Sequence, residues 1–240
     1  MNKILYVGYI EFPYGMAQVQ RQLVMSKILT HAGYDITVLC RYGIYSPKQS
    51  QIKYVYKGIY EGIKYEYCSG TPYRPNNFLK RNVLKIKGAF NEFYHIVKLG
   101  RKKEIKALFI TTNYFYNVLF YWIASKIGGV QTVLDNVEFF SNAKTDVSKF
   151  EKFDAYLYDR YLFKFVDKII CISDFLVSKA DDKISKEMVL KVPAITEFKK
   201  FKLKSDKLNN ESYLLYCGSI TYFEVIDFVI SSFEKTNNTQ

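Results

Sequence analysis

The chain is short of every signature that would assign its chemistry outright. Its four cysteines, Cys40, Cys68, Cys171 and Cys217, are scattered, with no C-x-x-C pair and no His/Cys spacing of the kind that holds zinc. Cys40, Cys171 and Cys217 each end an apolar strand-like run, where a small thiol packs well, and a reducing compartment fits. Only two histidines occur. His31 stands just before Gly33 and reads as a last-turn helix cap, His95 lies in a helical stretch, and neither has a nucleophile near it in sequence, so no triad is visible. The sequence holds no G-x-G-x-x-G turn and no P-loop, which argues against a nicotinamide, flavin or P-loop nucleotide enzyme. Long apolar runs are missing too. The most apolar, Tyr114–Ala124, contains Asn117 and falls short of the roughly 20 residues a membrane helix needs. The first residues reach Glu11 with no long apolar core and no small-residue cleavage site, so no secretory signal is expected.

Acidic residues are the scarcer charge, 23 against 35 basic, for a net +12. Such a surface attracts anions. The charge is spread along the chain instead of concentrated in one stripe, so no nucleic-acid partner is expected. The Asp181-Asp182 pair reads as a solvated turn, and no metal site is defined by spacing. These features predict a cytoplasmic chain that does not cross a membrane, with peripheral contact to the inner membrane face left open.

What is present is an alternation of strands and helices, the pattern of a parallel sheet covered on both faces. Strands are expected at Lys3–Gly8, Asp35–Cys40, Tyr54–Cys68 (one or two, interrupted by Gly58 and Gly62), Ala107–Thr111, Gln131–Asp135, Asp167–Ile172 and Met188–Val192. Seven strands, mostly parallel, would fill residues 1–193. Val19, Leu23, Val24 and Ile28 recur at helical spacing, and Gly33 stops that helix. Further helices are expected over Phe78–Lys103, Tyr114–Ile127 and Val147–Val166, the last with Phe150, Phe153, Leu157, Tyr161 and Phe165 toward the sheet. The lysine-rich stretch Ala194–Asn210 reads as a linker. Residues 1–205 would form one α/β, Rossmann-like domain, and residues 206–240, with strand Tyr213–Cys217 and one helix, the start of a second.

In open parallel sheets, ligands bind beyond the carboxyl ends of the strands. That singles out Tyr9–Gln18, Arg41–Gly43, Thr112–Tyr116, Asn136–Phe140 and Ser173–Phe175. Here the order of motifs becomes specific. Phe12-Pro-Tyr-Gly-Met-Ala-Gln-Val-Gln-Arg21, then Leu29-Thr-His-Ala-Gly-Tyr-Asp-Ile-Thr-Val-Leu39, then Gly62–Pro75, Asp167–Phe175 and Tyr213–Ser219 together resemble the group 1 (family 4) glycosyltransferases over nearly the whole chain.

The resemblance implies a GT-B enzyme with two Rossmann-like domains facing a cleft. The first domain takes a saccharide or lipid-linked acceptor of a cell-surface polysaccharide, and the second takes a nucleotide-sugar. Transfer would retain anomeric configuration, with no cofactor and no metal, the departing diphosphate being met by protein donors and helix N-termini. It further implies that the loop of Pro13, Tyr14, Gly15, Met16 and Gln18 lines the cleft, with Asn113, Asp135, Asn136, Ser173, Gly218 and Ser219 around it. Glu138 is the best-placed carboxylate there, its other reading being a cap or a solvated charge.

The chain departs from the family pattern in several places. It has Gly15-Met16 where many members have two glycines, and Thr112-Asn113 where many have a histidine. Tyr222-Phe-Glu224 stands where a Lys or Arg is usual, and no two glutamates stand seven residues apart. A truncated copy, inactive alone, is therefore expected. The alternatives are a non-enzymatic domain that binds an acceptor, a membrane or a partner enzyme and, from composition alone, a basic nucleic-acid or lipid-surface binder. Finally, Leu79, Val83, Ile86, Phe90, Phe93 and Val97 form one stripe with Lys80, Arg81, Lys85 and Lys87 at its basic end. It reads either as a face for an anionic membrane or as a helix packed on the sheet.

Overall fold

In the computed structural model, the residues described are 2–8, 11–46, 55–138, 148–181, 183–197, 215–216 and 223–235. The chain divides into two compact units, residues 1–197 and 198–240. The first is an eight-stranded sheet of β1 (Lys3–Val7), β2 (Asp35–Cys40), β3 (Lys57–Tyr60), β4 (Ile63–Tyr67), β5 (Ile105–Ile110), β6 (Gln131–Asn136), β7 (Lys168–Cys171) and β8 (Val189–Lys191). The strand order is 3-4-2-1-5-6-7-8. Every neighbouring pair is parallel except β3–β4. The expected seven strands are thus eight. The chain turns at Glu61-Gly62, both at positive φ, so that β3 folds back on β4 as an antiparallel edge. From β1 the chain builds outward to β2 on one side and restarts at β5 on the other, placing the topological switch point between β1 and β5.

The parallel strands are apolar on both faces, and their side chains alternate between two cores. Leu5, Val7, Leu108, Ile110 and Leu134 face one layer, with Tyr121, Ala155, Tyr158 and Leu162. Ile4, Tyr6, Ile36, Val38 and Phe109 face the other, with Phe12, Val19 and Leu23. Each Val, Leu, Ile or Phe among them contributes roughly 1.5–3 kcal/mol when fully buried.

Helix α1 (Ala17–His31) ends as expected, with His31 Nδ1 2.7 Å from the Lys27 carbonyl and Gly33 at φ +87°. Its buried face differs from the expected one. Ile28 is exposed, while Arg21, Gln22 and Ser26 are buried beside Val19 and Leu23. The turn is rotated because Arg21 has a buried carboxylate to meet, as described below.

Helix α2 (Phe78–Arg101) starts at Asn77, whose side chain accepts from the Lys80 N–H at 3.0 Å. It buries Gly88, Glu92, Ile96 and Gly100. A Cβ at Gly88 would stand 1.9 Å from the Arg41 carbonyl oxygen, so only glycine lets the helix sit this close. Packing through that face turns the apolar stripe outward. Leu79 is 73% and Phe90 72% exposed, with Val83 and Ile86 also exposed; only Phe93 and Val97 pack against the core. The sheet-packing reading of the stripe therefore holds only for its last two members.

Helix α3 (Phe115–Gly128) leads into β6, and α4 (Lys149–Tyr161) opens on a capping box between Ser148 and Glu151. The inward face of α4 is Asp154, Ala155, Tyr158 and Asp159, whereas Phe150 and Phe153 are exposed. Leu157, Tyr161 and Phe165 pack against the core as expected, so the expected stripe is corrected only at Phe150 and Phe153, and the cause is Asp154. Its carboxylate accepts from the Phe115 and Tyr116 N–H groups at 2.9 and 3.1 Å, capping α3, whose own N-cap residue Tyr114 makes no side-chain cap. A 3-10 turn, Leu162–Lys164, and helix α5 (Asp174–Asp181) complete the layers. In the second unit, α6 (Phe223–Lys235) exposes Val225, Phe228 and Phe233. Gly218, Ser219, Asp182, most of the linker and most of strand Tyr213–Cys217 lie outside the described residues.

Candidate functional site

Above the switch point, at the carboxyl ends of β1, β2 and β5, lies a cavity of ≈ 220 Å³. Each wall comes from the residues that follow a strand. Gly8 follows β1, Arg41 and Tyr42 follow β2, and Thr112, Asn113 and Tyr114 follow β5; Glu11 and Gln18 close one side, and Tyr116 and Asn117 of α3 another. Gly8 adopts φ +102°, and a Cβ there would stand 2.2 Å from the Thr111 carbonyl oxygen. Glycine is what lets β1 and β5 meet under the cavity.

A buried polar cluster forms the floor. Arg41 Nε donates to Glu92 Oε2 at 2.6 Å, and Arg41 Nη1 donates to Asn117 Oδ1 at 2.8 Å. Tyr121 Oη donates to the other Glu92 oxygen at 2.9 Å, and Asn117 Nδ2 donates to Thr112 Oγ1 at 3.2 Å. The guanidinium carbon lies 4.3 Å from the centre of the Phe120 ring. Burial pushes the Glu92 carboxyl up, with Arg41 and Tyr121 opposing it. Burial and the Glu92 carboxylate push the Tyr121 hydroxyl up, so it stays a donor. Burial also raises the Tyr114 and Tyr116 hydroxyls. Arg41 Nη2 makes no hydrogen bond in the described structure. The cavity thus offers aromatic faces with amide, hydroxyl and charged groups between them, and it rests on a cationic side chain locked by three neighbours.

Of the residues expected at the cleft, Asn113 and Gln18 line this cavity. Pro13 is buried, Met16 is exposed, and Tyr14 stands edge-on to Tyr60 with ring centres 5.1 Å apart. Gly15 lies tight on Val19, to which a Cβ would come within 2.4 Å. The loop is pinned from below by Tyr67 Oη, which donates to the Phe12 carbonyl at 2.7 Å, and by Tyr45 Oη, which donates to the Glu11 carbonyl at 2.5 Å.

Asp135 is brought somewhere else. It is buried against Arg21, whose Nε and Nη2 donate to it at 3.0–3.2 Å, and Tyr6 Oη donates to it at 3.3 Å. Asn136 Oδ1 accepts from Tyr158 Oη at 3.1 Å, and Ser173 Oγ accepts from the Leu176 N–H at 3.4 Å as the first residue of α5 is entered. Glu138 is exposed beyond β6. Among the described residues, no three His, Cys, Asp or Glu side chains gather as metal ligands. Arg41 fell in a loop marked by the strand-end rule. Glu92 did not, although it is the only acid in α2 and stands opposite the apolar stripe, which is the signal that could have found it.

No protein-family model matches the chain, and no curated protein matches it. Similarity is found among solved structures. One is UGT2 of Phytolacca americana complexed with UDP-2-fluoro-glucose and pterostilbene, at 8% identity and TM-score 0.49, over 80% of this chain and 53% of that one. Another is a UGT transferase of Siraitia grosvenorii in complex with UDP, at 13% identity and TM-score 0.46, over 80% and 50%. A third is Anabaena HepE in complex with UDP and glucose, at 14% identity and TM-score 0.44, over 83% and 46%. The chain spans about half the length of these structures.

Proposed function

We propose that residues 1–197 are the acceptor-binding side of a GT-B glycosyltransferase of the retaining, metal-independent kind, using a nucleotide-sugar donor and a saccharide or lipid-linked acceptor. The observation that carries this reading is the cavity at the switch point. Tyr42, Tyr114 and Tyr116 supply flat faces for the apolar side of a sugar ring. Gln18, Asn113 and Glu11 supply acceptors and donors of the kind that read ring hydroxyls. The order of sequence motifs described above supports the same reading. So does the outward apolar face of α2 with its lysines, which suits an acceptor presented at an anionic membrane. Among the described residues no helix is long and apolar enough to cross a membrane.

The test is saccharide binding by the chain, followed by NMR with a panel of mono- and oligosaccharides. Tyr114→Ala and Asn113→Ala each weaken binding of any saccharide that binds, by about tenfold. If both variants bind sugars as the parent does, the cavity is not the acceptor site.

A further inference from the structure

The tyrosine cavity continues along the sheet edge into a second one, and Tyr42 is the wall they share. It lines the cavity above the switch point and also a cavity of ≈ 130 Å³ bounded by Gly43, Tyr73, Arg74, Arg81 and Lys85. Lys85 Nζ stands 5.2 Å from the centre of the Tyr42 ring, which places its charge at the boundary. Arg81 and Lys85 lie four residues apart on α2 and so serve the same opening. The backbone around them is fixed. Tyr45 N–H donates to the Pro72 carbonyl at 3.2 Å and Arg74 N–H to the Tyr45 carbonyl at 2.9 Å, clamping the loop after β2 to the loop after β4. A Cβ at Gly43 would stand 2.2 Å from the Pro72 backbone, so the two loops touch.

The two cavities differ in sign. In the tyrosine cavity the cation Arg41 is already paired with Glu92, and a second acid, Glu11, lines the wall. The lining of the second cavity has three cations and, among the described residues, no acid. From Tyr67 to Asn91 the sequence carries Arg74, Lys80, Arg81, Lys85 and Lys87 and not one Asp or Glu. Arg74, Arg81 and Lys85 form no ion pair among the described residues, whereas Arg21, Lys27, Arg41 and Lys126 each have a carboxylate. Like charges gathered in a walled opening raise the local concentration of anions. Guanidinium forks match the oxygens of carboxylates and phosphates. A negative group is thus disfavoured beside Glu11 and favoured one step along the edge, past Tyr42.

A shared wall lets one ligand occupy both openings. A sugar ring stacked in the tyrosine cavity would carry an exocyclic acid group, or an acidic neighbouring ring, past Tyr42 into the cationic cavity. A free anion makes no use of the tyrosine faces, and a neutral sugar leaves the three cations unmet.

We propose that the saccharide bound at this edge is an acidic one, its carboxylate, sulfate or phosphate group held by Arg74, Arg81 and Lys85. This deepens the acceptor reading by naming the class of sugar, and it rests on that reading for the ring in the tyrosine cavity.

The experiment is titration calorimetry of the full chain with matched sugars. Glucose is compared with glucuronic acid, glucose 6-sulfate and glucose 6-phosphate, and galactose with its corresponding acids, with inorganic phosphate as the free anion. In at least one series an acidic sugar binds about tenfold tighter or more than its neutral parent, and tighter than inorganic phosphate. Which acid does so identifies the source of the charge. Arg74→Gln with Arg81→Gln weakens that acidic sugar about tenfold and abolishes the preference, since charge-assisted bonds are lost. Lys106→Gln with Lys168→Gln removes the same charge from the amino ends of β5 and β7 and keeps the preference. Circular dichroism confirms folding, and Lys85→Gln replaces the arginine pair if that variant fails to fold. Three results overturn the proposal. They are no acidic sugar binding more tightly than its neutral parent in either series, inorganic phosphate binding as tightly as the best acidic sugar, and a preference lost equally in the Lys106/Lys168 variant, the mark of diffuse surface charge. Tyr114→Ala separates this from the acceptor reading. If neutral sugars bind, lose affinity in Tyr114→Ala and are bound no less tightly than acidic ones, the acceptor reading stands and the inference fails. If acidic sugars depend on the arginines but no sugar responds to Tyr114→Ala, the acceptor reading fails and takes the inference with it, leaving a separate anion site.

Discussion

Replacing Asp135 by asparagine removes one charge from the interior while keeping its shape, and the structure gives the consequence. Arg21 is 7% exposed at its side chain and Asp135 1%. The guanidinium donates to both carboxylate oxygens, to the Pro193 carbonyl at 2.7 Å and to the Val192 carbonyl at 3.0 Å. It therefore ties α1 to the end of β6 and to the chain leaving β8. In Asp135→Asn the two backbone carbonyls remain, but a buried cation has lost the one carboxylate it pairs with among the described residues. Leaving one partner of a buried pair uncompensated costs about 3–5 kcal/mol. For a chain of this size that corresponds to a fall in Tm of about 6–20 °C. Urea unfolding followed by circular dichroism reads the change directly. Arg21→Met should cost a similar amount by leaving the buried Asp135 carboxylate with the Tyr6 hydroxyl but no counter-charge. The double variant Arg21→Met/Asp135→Asn should lose much less than the sum of the two single changes, because neither charge is then left alone and the Asn oxygen still accepts from the Tyr6 hydroxyl. A loss below about 1 kcal/mol in Asp135→Asn, or additive single changes, would refute the reasoning and show that water takes the place of the carboxylate.

Three further outcomes follow from the same geometry. Glu92→Gln leaves Arg41 without its counter-charge under the cavity, and urea unfolding should show a loss of about 3 kcal/mol; an unchanged midpoint would mean the cluster is not held by charge. Gly8→Ala forces a side chain onto positive φ against the Thr111 carbonyl, costing at least about 1–3 kcal/mol, and a melting temperature within a degree of the parent would contradict that. The third concerns acid stability. Burial works to raise the Asp167 carboxyl, but hydrogen bonds from the Thr132 N–H and hydroxyl, with Lys126, outweigh it and hold the carboxyl below its ordinary value of 3.8. A depressed acid stabilises the fold above its unfolded pKa and loses that contribution as pH falls through the folded one. Asp167→Asn should thus lower Tm at pH 7, with the gap to the parent closing below about pH 4; a gap constant from pH 7 to pH 2 would refute it.

Strand periodicity and the strand-end rule made the sheet and the ligand edge legible in the sequence. The runs of Leu, Ile and Val in β1, β2 and β5 are apolar on both faces, and only a buried parallel strand uses such a run. The loops after those strands, including Arg41 and Asn113, were identifiable before any contact was known. What failed were the helix faces. The apolar stripe of α4 was read as its inward side and that of α2 was left between the sheet and a membrane, yet Gly88 and Glu92 in α2, and Asp154 in α4, decide which side goes in. Each acts through a partner distant in sequence: the Arg41 carbonyl and side chain for α2, and the bare N–H groups of α3 for α4. Periodicity sees neither. The same is true of Asp135, which looked like a cleft carboxylate because the arginine that consumes it lies 114 residues away.

The most direct test of the acceptor-side reading is a map of where saccharides touch the chain. Backbone-assigned NMR spectra of the protein, titrated with a panel of mono- and oligosaccharides, would supply it. The account predicts shifts confined to Gly8, Arg41–Tyr42 and Thr112–Asn117, at the carboxyl ends of β1, β2 and β5, and loss of those shifts in Tyr114→Ala. Shifts clustered at the opposite edge, around Asn2, Gly33, Glu104 and Gly129, or no shifts with any saccharide at millimolar concentration, would contradict it.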